Sequence, residues 1–72
     1  MNKLLLHSVM ALNGHKQNDL ANHLGIRPAT LSRKINERDA EFSQSEIMSI
    51  KKLYSLTDKQ LDDIFFSEKV SN

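Results

Sequence analysis

Seventy-two residues, of which 39% are apolar, 26% charged and none cysteine, describe one small domain with no disulfide staple and no thiolate metal site. Four aromatics, two glycines and one proline give too few strand and turn formers for a barrel, and the apolar content is too high for disorder. The short length and the lack of any cofactor motif point away from catalysis and toward a binding module, and a net charge of +1 names no partner by itself.

The first predicted helix runs from about Asn2 to Asn13. Leu5, Val9 and Leu12 recur at i, i+4 and i+7, with Leu6 and Met10 beside them, so one face is apolar. Gly14 follows where a left-handed residue closes a helix. The run Leu4-Leu5-Leu6 is interrupted by His7 and Ser8, and neither a membrane span nor a secretory signal is legible, so a cytoplasmic chain is expected.

A second helix is predicted from about Gln17 to Leu24, with Leu20, Ala21 and Leu24 inward and Gly25 ending it. The third begins near Pro28, whose missing N–H costs nothing in a first turn, and continues to Ile35 with Leu31 and Ile35 facing inward. Asn36 is expected to take the left-handed cap. Ser43-Gln44-Ser45-Glu46 is a capping box that opens a fourth helix, and Phe42 with Ile47 makes the matching hydrophobic staple. That helix carries Ile47, Ile50, Leu53 and Tyr54. Thr57-Asp58-Lys59-Gln60 repeats the box and opens a fifth helix with Leu61, Ile64 and Phe65 inward. No strand survives this reading; the domain is all-α.

Charge divides along the chain. The first forty residues hold six basic groups against three acidic ones, and the remainder four against six. A basic half suits a polyanion, and an acidic half suits protein.

The connection between the second and third helices is the most informative feature. Gly25 permits positive φ at the turn, Ala21 lets two helices cross closely, and Ile26 plugs the turn into the core. Arg27, Pro28, Ala29, Ser32 and Arg33 then lie at the start and on the outer side of the third helix. Short residues flanked by arginines allow close approach to base edges and phosphates.

From Leu5 to Phe65 the chain resembles the phage Cro and repressor family of helix-turn-helix DNA-binding proteins. The resemblance rests on Gln17-x-x-Leu20-Ala21-x-x-Leu24-Gly25-Ile26, on Thr30-Leu31-Ser32-Arg33, and on Leu56-Thr57 leading to Leu61. Phe42-Ser43-Gln44-Ser45-Glu46-Ile47 and Ile64-Phe65-Phe66 are most similar to small phage-encoded Cro-like or antirepressor (modulator of repression) proteins of Gram-positive hosts. The resemblance implies a five-helix lambda-repressor-like domain over residues 1–66, followed by a short polar tail, 67–72. It implies double-stranded operator DNA as partner, with Gln17 on a phosphate, Arg27, Pro28, Ala29, Ser32 and Arg33 at the bases, and Asn36 and Arg38 on the backbone. It also implies a homodimer or a complex with a phage repressor, and no cofactor, metal or small-molecule substrate.

Two departures stand out. Where many members pair an arginine in the first helix with a glutamate ending the third, this chain has Met10 and Ile35, an exchange of an ion pair for an apolar contact. The family's glycine after the helix-ending asparagine is Glu37 here, a carboxylate poorly suited to a phosphate backbone.

The remaining features read as structural. His7, His15 and His23 are spaced eight apart, which matches no common ligand pattern, so surface or capping roles are expected. Ser8, Ser32 and Ser43 lack the strained elbow of a nucleophile, and Asp62-Asp63 reads as a solvated face. Phe66 turns about 100° from the inward residues. It either folds back over the core or, with Phe65, anchors a protein partner.

Overall fold

The computed structural model describes residues 1–66, and every element in that span is helical. The helices are α1 (Lys3–Leu12), α2 (Gln17–Leu24), α3 (Pro28–Ile35), α4 (Gln44–Leu53) and α5 (Asp58–Leu61), and α5 continues into a π-helical turn, Asp62–Phe66. The polar tail, 67–72, lies outside the described residues.

Helix starts follow their side-chain chemistry. Asn2 caps α1 by accepting the Leu5 N–H, and Ser43 and Thr57 form the two predicted capping boxes with Glu46 and Gln60. At α2 the cap comes from inside the helix, because Asp19 Oδ2 accepts the Lys16 N–H at 2.8 Å. This places a carboxylate in the first turn, where the helix dipole favours it.

Four helix ends share one device. Gly14, Gly25, Glu37 and Ser55 adopt positive φ, and the next residue returns its N–H to a carbonyl five residues back. The bonds are His15 to Met10, Ile26 to Ala21, Arg38 to Arg33 and Leu56 to Lys51, at 2.9–3.0 Å. Each is the long bond of a Schellman motif, so every one of these helices stops with its last carbonyls satisfied. The cap expected at Asn36 therefore falls one residue later. Asn36 stays near helical geometry at φ −91°, and Glu37 takes φ +56° in the position that the resemblance gives to glycine.

The core is one cluster. Leu6, Met10, Leu20, Ala21, Leu31, Ile35, Ile47, Ile50, Tyr54, Leu56, Leu61 and Ile64 are buried, and Leu5, Val9, Leu24, Ile26, Phe42, Leu53 and Phe65 pack at its margin. Met10 and Ile35 both belong to it, which fits an apolar replacement for an ion pair. The buried face of α1 is rotated from expectation: Leu6 and Met10 are deepest, while Leu12 is 84% exposed.

The two ends of the described chain meet. The Asn2 N–H donates to the Ile64 carbonyl at 2.7 Å, tying the start of α1 to the π turn. The wider turn is a departure from the predicted fifth helix. It buries Ile64, half-buries Phe65, and leaves Phe66 at 54% exposure.

Tyr54 closes the opposite side. His15, in the link between α1 and α2, meets it edge-on, with Nδ1 3.0 Å from the phenolic oxygen. Burial, aided by the charge of Asp19, pushes the Tyr54 hydroxyl above its ordinary value and keeps it neutral. His15 is thus half-buried against Tyr54, in place of the surface or capping role expected for it.

Candidate nucleic-acid interface

Helices α2 and α3 pack against each other across the three-residue link Gly25–Arg27. Ala21 is fully buried where its small side chain permits close approach, and Leu20 and Leu31 are fully buried beside it. The apolar faces of both helices are thereby consumed by the core, and the outer face of α3 is left to solvent.

The predicted base-reading residues fall on that outer face. Arg27 is the N-cap of α3, Pro28 occupies its first turn, and Arg27, Pro28, Ala29 and Arg33 are all exposed. Ala29 and Arg33 are four apart and share one stripe; Pro28, Ser32 and Asn36 form the next. Ser32 is half-covered because Asn36 Nδ2 reaches back to its carbonyl at 2.9 Å and lies 3.4 Å from its hydroxyl. Arg38 is exposed, and its N–H closes the helix on Arg33. Among the described residues Arg27, Arg33 and Arg38 enter no ion pair. Three guanidiniums, each with five donors, are open to an external acceptor.

Lys34 does not join them. Its ammonium donates to Glu46 of α4 at 2.7 Å. The same carboxylate oxygen accepts the Ser43 N–H of the capping box at 2.9 Å. Partial burial pushes the Glu46 carboxyl up, but the bonds from Lys34 and Ser43 outweigh it and hold the group below its ordinary value. Of the basic groups on and beside α3, the arginines are therefore the ones left without an internal counter-charge among the described residues.

Gln17 and Asn36, two of the three residues assigned to the phosphate backbone, are both engaged within the domain, and Arg38 is the third. Gln17 begins α2, half-buried, with its amide nitrogen 3.4 Å from His7 Nε2. Asn36 accepts from Lys3 Nζ at 2.9 Å while donating to Ser32. The sequence reading missed Lys3 and His7. Their only local signal is that they lie four apart on a helix with no carboxylate. The carboxylate of Glu37 is itself occupied, accepting from the Met1 α-amino group at 3.2 Å.

The partner-binding candidates occupy another side. Phe65 meets Phe42 edge-on with ring centres 5.5 Å apart, and Phe66 stands 6.4 Å from Phe65. These rings and Ile47 line an open cavity of about 270 Å³, with Lys34, Glu37 and Glu41 at its margin.

No helix among the described residues is long and apolar enough to cross a membrane. Compared with known protein families, curated proteins and solved structures, the chain matches none.

Proposed function

We propose that the chain is a phage-type transcriptional regulator that binds double-stranded operator DNA, with α2 and α3 acting as a helix-turn-helix. One observation carries this reading: the outer face of α3 sets exposed small residues, Pro28 and Ala29, between exposed arginines that have no internal counter-charge. A major groove admits a helix with such a face. Arg33 can donate two bonds to guanine O6 and N7, Arg27 and Ser32 can reach neighbouring base edges, Pro28 and Ala29 can touch thymine methyls, and Arg38 can hold a phosphate. Gln17 at the start of α2 adds an amide donor. Two such chains on two half-sites would read an operator of matching symmetry in a lysis–lysogeny type switch.

The test is a gel-shift series on the DNA flanking the gene that encodes the chain. Affinity should fall steeply with salt, and Arg33→Ala should relax base preference at one position by about 1–3 kcal/mol. Binding that ignores salt, or an Arg33→Ala variant that reads every position as before, would overturn the proposal.

Phe66 favours a second reading, in which the domain modulates a phage repressor by direct contact, with or without DNA. A large apolar ring that is 54% exposed beside a cavity is an anchor of the kind found at interfaces. On this reading Phe66→Ala abolishes co-purification with the repressor while Arg33→Ala leaves it intact. The reverse pattern would discard it.

A further inference from the structure

We propose that the DNA-facing surface extends onto α1, where Lys3 and His7 supply phosphate contacts flanking the α2–α3 pair. Lys3 takes the place assigned to Asn36, and His7 acts beside Gln17. The inference rests on the DNA-binding reading above and adds residues that neither the spacing nor the resemblance assigned.

The argument begins with what Asn36 has left to offer. Its amide nitrogen donates to the Ser32 carbonyl, and its amide oxygen accepts from Lys3 Nζ. A side chain so engaged caps α3 and has little left for a phosphate. The Lys3 ammonium has three donors and gives one to Asn36, so two remain, on a group of full positive charge, where Asn36 would have offered one neutral N–H. Asn36 is then a positioning residue that holds the lysine at the end of α3.

Four residues along α1, His7 stands in the same relation to Gln17. The Gln17 amide nitrogen lies 3.4 Å from His7 Nε2, and it donates there to the tautomer that carries its proton on Nδ1. Gln17 keeps its second amide hydrogen, so two donors stand side by side at the start of α2. Residues i and i+4 share a helix face, so both contacts arise from one side of α1.

The charges around them agree. Residues 1–18 contain no carboxylate. Asp19, the first, is turned onto the Lys16 N–H, and Glu37 beside Asn36 is held by the Met1 amino group. Lys3 and His7 are both exposed, so a phosphate can reach them without a change in the fold.

Fluorescence anisotropy with a short labelled duplex of mixed sequence tests this, because phosphate contacts are indifferent to sequence. Binding is measured from about 50 to 200 mM salt for the full chain and for Lys3→Met, Lys3→Arg, His7→Ala, Arg33→Ala and the α4 control Lys52→Met. Lys3→Met should lower the slope of log affinity against log salt by about 0.9, with Lys3→Arg restoring it. His7→Ala should weaken binding about three- to tenfold at every salt concentration, as expected for a lost hydrogen bond. Thermal melts matching the parent chain show that these are lost contacts. Should the parent bind with a steep salt dependence that Arg33→Ala weakens, while Lys3→Met and His7→Ala behave like Lys52→Met, the α1 contacts are refuted and the α3 interface stands. Absence of salt-sensitive binding by the parent refutes the DNA-binding reading, and this inference with it.

Discussion

Glu46 offers the sharpest test of how this small domain is held together, because one oxygen serves two elements. Its Oε1 accepts the Ser43 N–H that completes the α4 capping box and the Lys34 ammonium that ties α3 to α4. Glu46→Ala removes both, whereas Glu46→Gln keeps the acceptor for Ser43 and deletes only the charge. The backbone bond contributes about 0.5–1.5 kcal/mol. The ion pair lies between the exposed and buried cases, since the side chains of Lys34 and Glu46 are 15% and 16% exposed, so its loss should cost about 1–2 kcal/mol. Glu46→Ala should then lose roughly 2–3 kcal/mol, a fall in Tm of about 10–20 °C in a domain this short, and Glu46→Gln about half of that.

Acid titration separates the charge from the bond. The folded carboxyl lies below its ordinary value of 4.5, so its stabilisation is complete above that pH and is lost as pH falls through the lowered value. Thermal melts from neutral pH downward should show the parent losing stability in that window, with a shallower loss in Glu46→Gln. The double replacement Lys34→Met with Glu46→Gln should recover most of the loss, because no unpaired charge remains. A Glu46→Gln variant that melts with the parent and keeps its full acid sensitivity would refute the reasoning.

Ser55 holds φ +52° at the left-handed position closing α4. Ser55→Gly should raise stability by about 0.5–1 kcal/mol, since the left-handed penalty of about 1–2 kcal/mol exceeds the glycine entropy cost, and denaturant melts would register it. Ala21 is fully buried between α2 and α3, so Ala21→Leu should cost about 1–3 kcal/mol by overpacking and also weaken any DNA binding, as α3 is displaced. Tyr54→Phe removes the partner of His15 Nδ1 but keeps the ring contact, and should cost about 1 kcal/mol with the fold intact by circular dichroism.

Much of the architecture is written in short-range chemistry. The capping boxes at Ser43 and Thr57, the proline opening α3 and the glycines ending α1 and α2 each act within a few residues, so their spacing alone locates the helices. The buried faces of α2, α3 and α4 follow from apolar periodicity, because a short amphipathic helix has one way to hide its stripe. The exposed stripe of α3 is the complement of that buried face, and it was legible for the same reason.

Other features were decided by residues far apart in the chain. Lys34 counts as one more basic group until α4 brings Glu46, twelve residues on, against it. Asn36 looks available for a phosphate until α1 places Lys3 on its oxygen, across thirty-three residues. Gln17 acquires His7, and Leu12 gives up its predicted place in the core to Leu6 and Met10, once α1 is docked. The widening of the last helix into a π turn, which leaves Phe66 exposed, accompanies a bond donated by the Asn2 N–H, at the cap of α1, to the Ile64 carbonyl. Local sequence determined which segments are helices and which side of each is apolar, since those depend on caps and periodicity. Only tertiary packing decided which polar groups are consumed internally and which remain to meet a partner, because hydrogen bonds and charges are assigned by neighbours in space.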